Sequence, residues 1–248
     1  MKNVLYILVL FSIFSCDHKD AWDCIQTSGT PATLELTVDP FKKILVNRGI
    51  ELVVKHGQDY KVEIQTGANL IDSIEVIVLG NELQLTNPNS CNFVRDYGQT
   101  KITVTTPVLK TISSSTQYLT SSDGVLRFEN LSLISEDFNS DYISSGDFKM
   151  TVDVESLSVI ANNLSRFTIS GSTETLFVGF YTGLCAFNGM DLIAQDVSIF
   201  QRSSHDIIVN PQQSLKGKIR SVGDVISIQK PPVVEVEEYY SGRLLFLD

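Results

Sequence analysis

Helix formers and metal ligands are the first things missing from this chain. Six of its 248 residues are alanine, against twenty-seven serines and many Val, Ile and Thr, a balance that disfavours helix and suits strands joined by tight turns. The three histidines, His18, His56 and His205, are scattered through the chain, so no shared metal site is expected. There is no G-x-S-x-G elbow and no H-E-x-x-H pattern, which removes the familiar hydrolase and zinc-protease signatures. Basic residues are also short: 19 Lys and Arg face 29 Asp and Glu, a net charge of −10. Such a chain repels phosphate backbones, so nucleic acid is excluded as a partner.

The front end is apolar and brief. Met1-Lys2-Asn3 is a short positive start, residues 4 to 14 are apolar except for Ser12, and Ser15-Cys16 leads into the polar Asp17-His18-Lys19-Asp20. This is the layout of an export signal over residues 1–15. Eleven residues at 1.5 Å rise cover roughly half of a ~30 Å hydrocarbon core, too little for an uncleaved span. A cysteine directly after a small residue resembles a bacterial lipobox, in which Cys16 becomes the acylated N-terminus. The expected partner there is a lipid bilayer, and the expected place the cell envelope, at the outer membrane. Cleavage would remove one lysine and no acid, leaving 18 basic against 29 acidic residues.

Between Leu109 and Lys230 a loose repeat is present. Short apolar strands open at Leu109, Leu131, Leu157, Leu176, Val197 and Leu215, in steps of 22, 26, 19, 21 and 18 residues. A second strand follows each, at Tyr118-Leu119, Tyr142-Ile143, Phe167 to Ile169, Cys185 to Phe187, Ile207 to Val209 and Val225-Ile226. A unit this short cannot enclose its own apolar face, so it must stack on its neighbours and present long flanks. Val154-x-x-Leu157-x-Val159-x-x-Asn162 alone would pass as a leucine-rich repeat. The rest of each rung is Ser, Gly, aromatic and β-branched, with turn chemistry at Asp123-Gly124, Ser145-Gly146-Asp147, Ser170-Gly171 and Asn188-Gly189, which favours an all-β, right-handed parallel β-helix. The aromatics Phe128, Phe138, Phe148, Phe167, Phe177, Phe180, Tyr181, Phe187 and Phe200 are expected to fill its interior.

Upstream, residues 33–107 read as alternating strands continuous with the stack, after a polar tether over 16–32. Residues 74 to 79, Gly80-Asn81 and Leu83-Gln84-Leu85 read as a hairpin. Coils are expected over 108–230 and a C-terminal cap, including Tyr239-Tyr240, over 231–248. Of the four cysteines, Cys24 and Cys91 lie in segments able to meet and are expected to form a disulfide, the alternative being two unpaired thiols. Cys185 reads as a buried free thiol.

The chain also resembles a family of bacterial cell-envelope proteins, the putative auto-transporter adhesin, head GIN domain. The likeness rests on Phe41-Lys42-Lys43-Ile44 with Val46 and Gly49-Ile50, on Asn69-Leu70-Ile71, on residues 80 to 85, and on Ile102 to Pro107 with Leu109. It resumes at Gly223-Asp224-Val225, Pro231-Pro232 and residues 241 to 244. The resemblance implies a right-handed β-helical fold and an envelope location, and carries over no catalytic residue. The chain departs from the family in its turns, where Gly-Ser-Gly-Asp is diluted to fragments such as Ser121-Ser122-Asp123-Gly124.

Chemistry is sparse. Ser203-Ser204-His205-Asp206 holds the residue types of a triad, but neighbours on a strand point to opposite faces and cannot converge. The densest carboxylates are Glu136, Asp137, Asp141 and Asp147, read as solvated acids before a Ca²⁺ or lyase site. Asn139, Asn162, Asn163 and Asn188 read as turn residues before sugar ligands. No catalytic residue, metal or cofactor is expected, and the leading reading is a tethered, non-enzymatic adhesion or binding module taking a glycan or protein on a solenoid flank. The alternatives are a structural envelope protein and a carbohydrate-active enzyme using Asp137 or Asp141.

Overall fold

A computed structural model describes residues 23–89, 91–96, 98, 100–136 and 144–247. The signal over 1–15, Cys16, His18, Asp137, Phe138, Asn139, Asp141 and Tyr142-Ile143 lie outside the described residues. Within them the protein is all-β, with no α-helix. The strands are β1 (Pro31–Thr37), β2 (Lys43–Val46), β3 (Glu51–His56), β4 (Lys61–Gly67), β5 (Glu75–Leu79), β6 (Glu82–Thr86), β7 (Lys101–Thr106) and β8 (Thr111–Ser114). They continue as β9 (Thr120–Ser135), β10 (Phe148–Ala161), β11 (Arg166–Phe180), β12 (Ala186–Gln201), β13 (Ile207–Ile219), β14 (Val225–Ser227), β15 (Val233–Glu238) and β16 (Leu244–Phe246). All join in one sheet, parallel except for β1–β4, β4–β7 and β5–β6.

Strands β9 to β13 are long because each turns a corner. β10 buries Met150, Val152 and Val154, then Leu157, Val159 and Ala161, so Glu155-Ser156 interrupts the two-residue alternation and both face outward. Two consecutive outward residues swing the strand from one flank to the other. The first halves pair in the order β1-β4-β7-β3-β9-β10-β11-β12-β13-β14-β16. The second halves continue into β8, β2, β6 and β5 on one side and β15 on the other.

Parallel pairing sets equivalent residues one above the next. One row runs Leu131, Leu157, Leu176, Val197, Leu215 and Val234. The other runs Phe148, Phe167, Phe187, Ile207, Val225 and Leu244. Leu131, Leu157, Leu176, Val197, Leu215, Phe167, Phe187, Ile207 and Val225 are positions the repeat pointed to, whereas Phe148, Val234 and Leu244 are not; all but the last of each row are buried. Phe148 lies flat on Phe167, ring centroids 4.6 Å apart and planes 16° apart, with Phe180 6.0 Å from Phe167.

Several expectations need correction. Tyr118-Leu119 belongs to the connection before β9, and among the described residues the strand that follows β9 begins at Phe148. The dipeptides Asp123-Gly124, Ser170-Gly171 and Asn188-Gly189 lie inside β9, β11 and β12, where they serve bends and register breaks rather than turns. At Gly171, φ is +107° and a Cβ would stand 1.9 Å from the Val152 carbonyl oxygen, so only glycine fits. The aromatics divide: Phe148, Phe167, Phe180 and Phe187 fill the core, while Phe177 and Phe200 are half-buried on the outer flank and Tyr181 is exposed. The segment read as tether is packed from Asp23 onward, with Cys24 and Gln26 buried and β1 starting at Pro31. The C-terminal segment adds β15 and β16 to the two ladders, and Tyr239-Tyr240 lie in the connection between them.

The N-terminal strands do join the stack, though out of chain order. The second-half ladder runs β6-β2-β8 and the first-half ladder β7-β3-β9, so the rung 43–56 is inserted between 82–106 and 111–135.

Candidate functional site

The residue types of hydrolytic chemistry are engaged by the backbone. Ser203 is buried and donates to the carbonyls of Cys185 (2.6 Å) and Gly183 (3.3 Å). The His205 ring Nδ1 faces the Leu184 carbonyl at 2.9 Å. Asp206 accepts the Asp224 N–H at 2.8 Å. The four residues occupy the turn before β13, not a strand, so the triad fails because each member has a structural partner. Asp147 and Asp224 repeat the motif, accepting the N–H of Arg166 (3.0 Å) and Arg243 (2.7 Å) one rung on. These carboxylates tie successive turns together.

Other candidates disperse in the same way. His56 packs edge-on against Phe128, centroids 5.4 Å apart, far in sequence and pairing from His205. Asn162 and Asn163 lie in the turn after β10, while the Asn188 side chain accepts the Met190 N–H inside β12. Among the described residues no three His, Cys, Asp or Glu side chains gather as metal ligands. A cleft of about 560 Å³ follows the corner of the long strands, lined among others by Lys110, Arg127, Glu129, Asp153, Glu155 and Glu174. Glu129, Glu155 and Glu174 recur one position before the paired residues Asn130, Ser156 and Thr175, giving a solvated acidic row. Beside it, Arg127 reaches its register partner Asp153 at 3.5 Å.

Cys185 is the one free cysteine among the described residues, and it is buried. Desolvation pushes its thiol from an ordinary value of 9.0 up to about 11, against backbone hydrogen bonds from Asn163 and Ser165 that pull it down. The unfolded chain therefore loses this proton first as pH rises, and between about pH 9 and pH 11 the native state binds more protons. Stability is expected to fall across that window by up to about 3 kcal/mol. Urea unfolding at the two ends of the window, compared with Cys185→Ala, checks it: the variant should lack this part of the slope.

The turns expose a different arrangement. Backbone bonds align Tyr181, Arg202, Arg220 and Tyr239 in successive rungs: Arg202 N–H to Phe180 carbonyl (2.9 Å), Arg220 N–H to Gln201 carbonyl (2.7 Å), Tyr239 N–H to Ile219 carbonyl (2.9 Å). Parallel strands set such neighbours roughly 4.8 Å apart. Tyr181 is 43% and Tyr239 51% exposed, and both arginines are exposed. The Arg220 guanidinium lies 4.3 Å from the Tyr239 ring centroid, and Tyr181 packs on Phe200 at 5.2 Å. Among the described residues neither arginine forms an ion pair. The Tyr239 hydroxyl donates to Glu237, which lowers that carboxyl, with Lys218 and Arg220 adding to the effect. Sequence reading missed this row, although its offsets of 21, 18 and 19 residues repeat those of the core row from Leu176 to Val234.

A second built feature lies at the start of the described chain. Cys24 and Cys91 are joined by a disulfide, Cα atoms 4.4 Å apart. Arg95, its side chain 4% exposed, donates to the Asp23 carbonyl (2.7 Å), the Gln26 carbonyl (3.1 Å), the Asp23 carboxylate (2.7 Å) and the Cys91 carbonyl (2.7 Å). A buried guanidinium with several acceptors is a strong local clamp.

Comparison with known proteins agrees with the fold. A putative adhesin from Bacteroides fragilis is 19% identical, aligned over 89% of this chain and 99% of its own, with a TM-score of 0.77. A putative lipid binding protein from Parabacteroides distasonis is 15% identical (89% and 98%, TM-score 0.63), and a putative adhesin from Parabacteroides merdae 13% identical (89% and 97%, TM-score 0.59). At these identities the likeness is one of fold. No curated protein matches the chain. The family model described as putative auto-transporter adhesin, head GIN domain, matches residues 40–231, and the chain belongs to that family.

Proposed function

We propose that this protein is a non-enzymatic binding module of the bacterial cell envelope, exported, acylated at Cys16 and held at the outer membrane, its rungs winding as a right-handed β-helix. The family and the adhesins it resembles in fold support a surface role. The observation that carries the reading is the exposed row Tyr181, Arg202, Arg220, Tyr239, in which two guanidiniums without ion pairs among the described residues stand between aromatic rings on a chain of net charge −10. Arginine forks match carboxylate or sulfate oxygens bidentately, and tyrosine faces stack on sugar rings. The ligand class is therefore an acidic glycan lying along the turns, several sugars at a time.

The test is retention of the mature protein on immobilised acidic glycans at micromolar concentration. Arg202→Ala combined with Tyr239→Ala is expected to weaken retention by at least about tenfold, since arginine and tyrosine dominate binding surfaces of this kind. Lys55→Ala, which removes an exposed ion pair between β3 and Asp123 of β9, should leave it unchanged. Retention should also weaken as salt rises. Wild-type binding by the double variant, or no retention on any acidic glycan, would defeat the reading.

A further inference from the structure

The largest exposure of any large apolar side chain among the described residues belongs to Phe93, at 77%, and its neighbour Val94 is 56% exposed. Single exposed apolar residues are ordinary on protein surfaces. This pair differs in how firmly it is displayed. The Asn92 carboxamide oxygen accepts the N–H of Val94 (3.2 Å) and of Arg95 (2.6 Å), and its amide donates to the Arg95 carbonyl (2.7 Å), closing a tight turn with Phe93-Val94 at the tip. The disulfide at Cys91 holds one side of that turn and the buried Arg95 the other, and the Phe93 N–H donates to the Cys24 carbonyl at 2.9 Å. A covalent bond, a buried guanidinium and an Asn-capped turn thus hold two apolar side chains out in water.

The same contacts fix where the N-terminal segment joins the body. Asp23 accepts from both Arg95 and the Cys91 N–H, so the first described residue lies beside the tip. Cys16 is seven residues before Asp23, a span of at most roughly 25 Å even fully extended. Resting on the reading of Cys16 as the acylated residue, we infer that Phe93-Val94 is a second membrane contact, a short apolar finger that dips into the interfacial zone of the bilayer. Aromatic and aliphatic side chains partition there without needing anionic headgroups, which suits a chain of net charge −10. The finger's geometry also sets the far surface. It lies in the connection after β6, and the turns bearing Tyr181 and Tyr239 follow β11 and β15, five and eight strands along the ladder. At ~4.8 Å per strand the arginine row stands roughly 24 to 38 Å along the stack from the finger.

The test uses the full mature protein, extracted from membranes and reconstituted in vesicles of phosphatidylethanolamine and phosphatidylglycerol. Phe93→Trp in a Trp22→Phe background reports the finger; Val94→Trp in the same background is the second reporter should the first disturb folding. Tryptophan emission is expected to shift to the blue on reconstitution and to fall roughly twofold when the lipids carry bromine near the glycerol end of their chains. Tyr240→Trp, at the far end of the ladder, should show neither change. Acyl chains in the intact mass, with emission from the Phe93→Trp and Val94→Trp reporters both unquenched, overturn the finger and leave the anchoring reading standing. Quenching at position 240 as well as 93 also overturns it, because the body then lies flat on the bilayer. A mass without acyl chains fails the anchoring reading, and the finger with it.

Discussion

Phe167→Ala is expected to remove about 4 kcal/mol of folding free energy, the cost of emptying a ring-sized hole in a core that cannot collapse around it. The ring is fully buried, stacked on Phe148 and in reach of Phe180. Among the described residues its strand, β11, pairs with β10 and β12, so the hole weakens both interfaces that hold the middle of the ladder together. Phe246→Ala makes the contrast. That ring is half-exposed on β16 with Lys230 5.7 Å from its centroid, and its loss should cost no more than about 1.5 kcal/mol. Guanidinium unfolding measures both. A Phe167→Ala loss below about 2 kcal/mol would mean that neighbouring rungs close over the gap. A drop in the denaturant slope together with the midpoint would mean something else: that the ladder parts at β10–β11 and the two halves unfold separately.

That a single ring matters so much follows from the feature most legible in the sequence. Leu131, Leu157, Leu176, Val197 and Leu215 share a row because apolar side chains at a steady interval have one way to be buried in a parallel stack. The Gly80-Asn81 hairpin was equally readable, since two alternating strands around such a turn are a local signal, and β5 and β6 pair antiparallel across it. Long-range order was not readable. β3 and β4 follow each other in the chain, yet β7 lies between them, and nothing in either strand's alternation encodes a neighbour forty residues away. Ser170-Gly171 looked like a turn because serine and glycine favour turns, whereas a bend inside a long strand asks for the same backbone freedom. The arginine row escaped notice for a related reason. Exposed side chains carry no burial signal, and only the pairing of the rungs shows that Arg202 and Arg220 are adjacent. The catalytic residue types were set aside in the sequence for a reason the fold does not share: Ser203, His205 and Asp206 lie in a turn and not on a strand, and their side chains bond to the backbone of that turn and its neighbours.

Replacing both Cys24 and Cys91 by serine is expected to cost about 4 kcal/mol, close to the loss at Phe167 but by a different route. The bridge joins residues 67 apart, and in the unfolded chain a loop of that length restricts the ensemble by roughly this amount. The native side changes little in this variant, because Arg95 still binds the Asp23 and Gln26 carbonyls and β1 still pairs with β4. The two routes separate experimentally. Hydrogen exchange in the native state should stay close to wild type over β1 and residues 23–30, while the global unfolding free energy falls. If instead the N-terminal segment exchanges freely and the global value hardly moves, the bridge acts on the folded state, as a rivet without which the Arg95 clamp cannot hold. The finger at Phe93 would then lose its support along with the segment, and its contact with the bilayer should weaken in the serine variant even though any acyl anchor is intact. Persistence of both the clamp and the Phe93 contact, with a destabilised chain, is the expected outcome, because four hydrogen bonds to one buried guanidinium outlast the loss of a crosslink whose main effect is on the disordered chain.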